Sequence, residues 1–370
     1  MSDPQIIELR DVEHVARQFQ IAGDLISANP YGSGHINDTY CVVTDLSGMR
    51  LRTIVQRINR NVFRNPVALM DNIQRVTSHL ASQVAVDADL DRDRRVLTLI
   101  PAVDGRPFHV DAEAQYWRSY RFIEGARTYD AVESVEQAYQ AARAFGRFQK
   151  LLVDLPQPRL HDTIPDFHNT PKRFAALQQA IDADVAGRTS HAKAEIEFAV
   201  TRQPLVNALL KANLPERVTH NDTKFNNVML DDRTGEGACV IDLDTVMPGL
   251  ALYDFGDMVR TTTSPAQEDE KDLSKVSMQF PMFEALARGY IAEAGSFLTS
   301  AEREQLAFAG KLITFEQGIR FLADYLAGDP YYKIHREGHN LDRCRAQFKL
   351  VESIEMQENT MVELIHSLQA

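Results

Sequence analysis

Hydrophobic and polar positions alternate in the first third of the chain. From Tyr40 to Val43, and again from Leu51 to Ile58, β-branched and apolar residues alternate with polar ones, and Leu46-Ser47-Gly48 predicts the turn between two strands. A helix is predicted next. Asn65 suits an N-cap, Pro66 suits the first helical position, and Leu69, Met70, Ile73, Val76 and Leu80 recur at helical spacing. The apolar run Val96 to Ile100 predicts a strand, Asp104-Gly105-Arg106-Pro107 a turn, and Trp117 to Ile123 a further strand. After Gly125 the period becomes helical. Ser134-Val135-Glu136-Gln137 reads as a capping box ahead of Ala138, Tyr139, Ala142, Phe145 and Leu152. Thr170-Pro171 and the box from Thr299 to Glu302 open other helices, and one from about Phe308 to Leu326 stops at Gly328-Asp329-Pro330. A short strand-rich island, roughly residues 217 to 243, interrupts the helices.

This order predicts an α+β fold of two lobes. Residues 1–122 form the strand-rich lobe and residues 123–370 the mostly helical one, with a hinge near residues 122 to 126 and a cleft between them. At 44% hydrophobic and 25% charged, the chain has the balance of an ordinary soluble globular protein. It contains no apolar run long enough for a transmembrane helix. The first residues, Met1 to Val15, carry early acids and no apolar core segment, unlike a secretory signal. A net charge of −12 argues against nucleic acid or anionic membrane as partner. It also means that a phosphate-rich ligand would need local cations or a metal. Cys41, Cys239 and Cys344 are widely spaced and odd in number, which fits inert thiols in a reducing cytoplasm.

Chemistry concentrates in the island. The segment from Val218 to Leu230 contains His220, Asp222, Lys224 and Asn227 between two apolar runs. Phosphoryl transfer needs a base for the hydroxyl, a metal on the phosphates and cations on the developing charge. Asp222 can accept the proton, Asn227 offers a neutral oxygen to a metal, and Lys224 can reach a phosphate. Read alone, the segment also fits an Asn- and Asp-rich turn. A second run, Ala238-Cys239-Val240-Ile241, delivers Asp242 at the end of a strand, where a carboxylate can complete a metal site.

Together these runs resemble the paired motifs of the aminoglycoside phosphotransferase and choline kinase superfamily. The pattern His-x-Asp-x-x-x-x-Asn is met by His220, Asp222 and Asn227, and the strand-end Asp by Asp242. The acidic segment that follows in that family is met by Tyr253-Asp254-Phe255-Gly256-Asp257. The resemblance implies a bilobal protein-kinase-like fold, with ATP and Mg2+ as cofactors, Asp222 as catalytic base, and Asn227 and Asp242 as metal ligands. His220 and Asp254 would brace the loop. In this frame the turn from Tyr31 to Tyr40, with Gly32 and Gly34, fits a phosphate-covering loop. Arg57, in Val55-Gln56-Arg57-Ile58, is the candidate phosphate cation, with Asp71 as its acidic partner. The stretch Arg118 to Gly125 would lie at the adenine.

A narrower resemblance is to the N-acetylhexosamine 1-kinases. It rests on the run from Gly34 to Tyr40, the run from Thr219 to Asp231, the run from Val240 to Gly249, and Arg320-Phe321-Leu322-Ala323-Asp324-Tyr325-Leu326. It implies a small-molecule sugar acceptor, phosphorylated at its anomeric hydroxyl, with His35, Arg320, Asp324 and Tyr325 on the acceptor side. Arg320 and Asp324 lie one helical turn apart, which also fits a surface ion pair. Two other readings stay open: a kinase of an aminoglycoside, choline-like or other small alcohol, and a silent binding module. A formylglycine-type sulfatase does not fit, because no Cys or Ser opens the required Cys/Ser-x-Pro-x-Arg motif.

Overall fold

The computed structural model describes residues 9–32, 36–84 and 92–368. In chain order the elements begin with α1 (Leu9–Ala16), β1 (Asp24–Pro30), β2 (Asp38–Leu46), β3 (Met49–Arg57), α2 (Pro66–Val84), α3 (Arg92–Arg95), β4 (His109–Val110), β5 (Tyr116–Arg121) and β6 (Ala126–Arg127). They continue with α4 (Val135–Leu151), α5 (Thr170–Ala183), α6 (Lys193–Thr201), α7 (Ala208–Lys211), β7 (Arg217–Thr219), β8 (Val228–Asp231), β9 (Gly237–Val240) and β10 (Met247–Gly249). The last are α8 (Ala251–Thr262), α9 (Phe280–Ala294), α10 (Ser300–Glu304), α11 (Leu306–Leu326) and α12 (His339–Ser367). The chain divides into two compact units. The first comprises the residues up to Ala126 together with Leu155–Ile164 and Ala238–Val246, and the second comprises the remainder.

The first unit is built on an antiparallel sheet in the order β1-β2-β3-β5-β4. The turn between β2 and β3 falls where the sequence predicts it, with Ser47 and Gly48 both at positive φ. Strand alternation sorts the side chains onto two faces. Tyr40, Val42, Val55 and Trp117 face Val12 and Val15 of α1 and form the unit's core with Phe19. On the opposite face, Gln56 stands across from Thr39 on one side and Arg118 on the other. Helix α2 starts as its sequence predicts, with the Ala68 N–H donating to Asn65 Oδ1 at 3.1 Å. Its buried Asn72 then ties in the two late segments. Asn72 Nδ2 donates to the carbonyls of His161 (2.8 Å) and Val246 (3.2 Å), and Oδ1 accepts from the His161 N–H.

The run Val96 to Ile100 does not form the strand its hydrophobicity predicts. It makes a single bridge, Leu99 to Tyr120, flanked by bonds from Ile100 N–H to Ser119 O and from Arg121 N–H to Thr98 O. The start of that same edge of β5 is occupied by β4, whose His109 pairs with Trp117, so little edge is left for a longer ladder.

The second unit is mostly helical and includes the strand pair β7 and β10 and the short strand β8. Phe174 and Leu177 of α5, Phe315, Ile319 and Leu322 of α11, and Phe348 and Val351 of α12 make a continuous core. Helices α4 and α9 pack very closely. A Cβ at Gly146 would lie 2.8 Å from Tyr290 O, and one at Gly289 would lie 2.2 Å from Tyr139 O. The cap at Thr299 is a complete capping box with Glu302. At Ser134 only half of one forms. Its side chain accepts from the Gln137 N–H, while Gln137 Oε1 takes the N–H of Glu133. Strands β7 and β10 pair antiparallel with Thr219 opposite Met247, and the segment predicted to carry the chemistry leaves the end of β7. No helix among the described residues is long and apolar enough to cross a membrane.

Candidate active site

Helix α8 places the loop after β7 by holding its backbone. Asp254, fully buried, accepts from the Asn221 N–H at 2.7 Å through Oδ1 and from the His220 N–H at 2.9 Å through Oδ2. Gln149 Nε2 of α4 donates to the same carboxylate at 2.5 Å. One turn on, Asp257 Oδ2 accepts the Thr223 N–H at 2.9 Å, and the Thr223 hydroxyl donates to the Asp254 carbonyl at 2.7 Å. The ring of His220 packs edge-on against Phe145 and Phe148 of α4. Asn221 adopts a left-handed conformation, φ 65°, which Asn tolerates better than most side chains. From the other side the ring of His168 lies 3.1 Å from the Asn221 carbonyl and 2.9 Å from Glu316 Oε1, and Glu316 also accepts from the Thr170 hydroxyl. Burial alone would lower the His168 pKa, but the Glu316 carboxylate outweighs it and His168 is held above its ordinary value. Glu316 is correspondingly held below its own.

Asp222 projects from this frame. Lys224 Nζ lies 2.9 Å from its Oδ1 and 3.1 Å from its Oδ2. Burial would raise the Asp222 pKa, yet the adjacent ammonium more than offsets it, so the carboxyl sits below the usual range and is ionised at neutral pH. Lys224 in turn is pushed up by the Asp222 carboxylate. Asn227 Nδ2 donates to the Asp222 carbonyl at 2.8 Å. Its amide nitrogen is thereby fixed, and its carbonyl oxygen is the end left to accept a cation.

In the first unit the segment after β9 turns through Asp242, also left-handed at φ 58°, into a short 3-10 turn. Two residues on, Asp244 is buried and forms an ion pair with Arg118 of β5 through both guanidinium nitrogens. Arg118 Nε donates to Gln56 Oε1 at 3.0 Å, and Asn37 Nδ2 donates to Asp244 Oδ2 at 2.6 Å. The sheet face opposite α1 therefore carries the strand-end segment, and its cation is Arg118.

Arg57 is placed elsewhere. Its alternation puts it with Val55 and Trp117 rather than with Gln56, its partner is Asp38 on β2 (2.8 Å), and it borders a hollow with His14 and His109. The expected partner Asp71 lies instead near Arg75 and His161. The pairing of Arg57 with Asp71 is thus corrected, because α1 covers the face on which Arg57 lies.

Gly32 sits in an exposed turn at φ 82°, while Gly34 and His35 lie outside the described residues. Arg320 does not pair with Asp324. Its guanidinium donates to Gln317 Oε1 at 3.0 Å and faces the rings of Phe167 and Tyr332. Asp324 is buried and accepts from the N–H groups of Tyr331 and Tyr332 and from Asn340 Nδ2, so its carboxylate shapes the turn after α11. Tyr325 belongs to the core of α5, α11 and α12, under Arg188. Sequence reasoning missed Arg118, Asp244 and the His168–Glu316 pair. Asp244 lies in the run Val240 to Gly249 and Arg118 opens the stretch Arg118 to Gly125, but neither side chain was singled out. Strand register pairs these two, while helix packing pairs His168 with Glu316, which fall in no motif.

A family model described as the phosphotransferase enzyme family matches residues 27–308. Among solved structures, a microcompartment-associated aminopropanol kinase aligns at TM-score 0.65 and 16% identity over 96% of this chain and 98% of its own. Spectinomycin phosphotransferase in complex with ADP and spectinomycin aligns at 0.56 and 12% identity over 99% of each chain. A choline/ethanolamine kinase family protein from Mesorhizobium loti aligns at 0.52 and 17% identity over 98% of this chain and 99% of that one. At these identities the likeness is one of fold, and it runs the length of the chain.

Proposed function

The chain belongs to the phosphotransferase enzyme family, with its kinase-like α+β fold, and on that premise we propose that it transfers the γ-phosphoryl group of ATP to the anomeric hydroxyl of an N-acetylhexosamine. The products are ADP and N-acetylglucosamine or N-acetylgalactosamine 1-phosphate. In the transfer the bond between the γ-phosphorus and the β,γ-bridging oxygen breaks, the acceptor oxygen bonds to phosphorus, and its proton passes to Asp222.

The observation that carries the reading is Asp222 itself: an ionised carboxylate on a loop whose backbone amides are held by Asp254 and Asp257. Such a group orients a hydroxyl and takes its proton late, which suits a loose phosphoryl-transfer transition state. Lys224 is the counter-ion of the base, next to the place where the transferring phosphoryl would pass. Asn227, with only its oxygen open, and Asp242 would hold Mg2+. Among the described residues no group of three or more His, Cys, Asp or Glu is arranged as a metal cage. That fits an ion that keeps waters and takes most of its ligands from phosphate oxygens. Bound there, the metal would neutralise charge on those phosphates. Gly32 and Gly34 would cover the phosphates, and His35 and Arg320 would meet the acceptor.

The acceptor rests on the resemblance of four separate runs to N-acetylhexosamine 1-kinases. A second reading, an amino alcohol or aminoglycoside acceptor, is favoured by the fold likeness to aminopropanol and spectinomycin kinases. Incubation with ATP, Mg2+ and each acceptor in turn, followed by phosphorus NMR, separates them. An acid-labile sugar 1-phosphate is expected. A 6-phosphate, or no product from either N-acetylhexosamine, overturns the sugar reading, and turnover of an amino alcohol establishes the second.

A further inference from the structure

One cavity of about 240 Å³ lies wholly within the second unit and begins at the catalytic loop. Lys224, Phe225 and Asn226 form one wall, Arg260 of α8 another, and Gln347 and Leu350 of α12 a third. Both cations on its walls are paired, and Asp130 and Glu268 add carboxylates to the lining. Lys224 is paired with Asp222, and Arg260 with Asp257 at 2.9 Å and Glu268 at 3.1 Å. Two neutral amides are not satisfied. Asn226 Oδ1 and Gln347 Oε1 are both buried, and neither meets a hydrogen-bond donor among the described residues. Gln347 is only 5% exposed, so water does not readily supply what is missing. A buried amide without partners costs stability, which is a reason to look for a ligand that completes it.

We propose that this cavity holds the body of the acceptor, and that Asn226 and Gln347 accept hydrogen bonds from its hydroxyl or amide groups. The inference rests on the kinase reading of Asp222. Lys224 lines the cavity and touches the base, so an acceptor seated here has a hydroxyl within one side chain of Asp222. Phe225 and Leu350 give it an apolar wall, as the C–H face of a sugar ring requires. Since each cation is already paired, an anionic group on the acceptor finds no unmatched counter-charge. The chemistry left open is hydrogen bonding to two amide oxygens. This favours an acceptor rich in hydroxyl or amide N–H donors over one that carries a carboxylate or phosphate.

The test is Gln347→Leu, which keeps the bulk and removes the unsatisfied amide. Its melting temperature is expected to equal or exceed that of the parent. Its KM for an N-acetylhexosamine is expected to rise roughly tenfold, the loss of one or two neutral hydrogen bonds, with kcat at saturation held within about twofold. Asn226→Ala, on the opposite wall, carries the same expectation and keeps the test open if Gln347→Leu does not fold. Acceptor KM values unchanged in both variants, with N-acetylhexosamine still phosphorylated, overturn the cavity assignment and leave the sugar reading standing. If another acceptor is turned over instead, an amine included, the sugar reading falls and the same KM comparison on that acceptor decides the cavity.

Discussion

Asp254→Ala is the perturbation that most directly tests how the catalytic loop is built. The Asp254 side chain is 0% exposed, and its two oxygens take three donors: the N–H groups of His220 and Asn221 and Gln149 Nε2, all within 2.9 Å. Truncation leaves those three donors buried without acceptors, at about 1–3 kcal/mol each. Against this, the variant no longer buries a carboxylate, a penalty visible in the Asp254 pKa, which burial holds above the usual range even though the donors pull it down. The net loss is expected at about 3–5 kcal/mol, the range for breaking a buried charged network on one side. The loop also loses the grip that sets Asp222. Displacing a catalytic group by about 1 Å costs roughly a hundredfold in rate. Urea unfolding and steady-state kcat measure the two effects. Asp254→Asn is expected to fall between parent and alanine, because its amide keeps one acceptor and turns a donor toward the remaining N–H groups. An Asp254→Ala protein within 1 kcal/mol of the parent and within threefold in kcat would refute the argument that this carboxylate frames the loop.

Other expectations follow from the same geometry. Asp222→Asn keeps the shape and removes the proton acceptor, so kcat in a coupled ADP-release assay is expected to fall by about 10²–10⁴. Lys224→Met removes the largest influence lowering the Asp222 pKa, so the acid limb of the kcat/KM profile should move to higher pH, and a limb that stays put contradicts the pairing. The sign holds for stability too. A depressed carboxylate stabilises above its unfolded pKa, and that contribution is lost as pH falls through its folded value, so the parent should lose more stability on acidification than Lys224→Met. Arg118→Met alone is expected to cost about 3–5 kcal/mol by stranding Asp244, while Arg118→Met with Asp244→Leu should recover much of that in the same unfolding assay.

Local rules made part of this molecule legible. Asn65 and Pro66 announced α2, Thr299 and Glu302 announced α10, and alternation announced β2 and β3, because in each case the signal and its structural consequence lie within a few residues. The reading failed where a second element decides the outcome. Val96 to Ile100 is apolar enough for a strand, but the edge it needs is partly held by β4. Arg57 and Arg118 both lie on predicted strands, and periodicity gives each a face without saying which face α1 will cover. Asp222 was visible through its spacing from Asn227, whereas His168 and Glu316, which steady the same loop from far away in sequence, carry no local pattern. Asp324 was expected on the acceptor side, with an i,i+4 ion pair to Arg320 as the alternative, and the turn after α11 took its oxygens instead.

The clamp on the catalytic loop is made to peptide N–H groups, which every residue except proline supplies in the same place. The grip of Asp254 and Asp257 itself therefore makes no demand on side-chain chemistry. Loop positions beyond His220, Asn221 and Thr223, whose ring packing, left-handed backbone and hydroxyl are used as well, can be exchanged while the loop keeps its path. Such an architecture separates heredity of shape from heredity of chemistry. One scaffold can pass through many acceptor preferences without rebuilding its foundation, and a designer wishing to redirect this protein would randomise the cavity wall at Asn226 and leave α8 untouched.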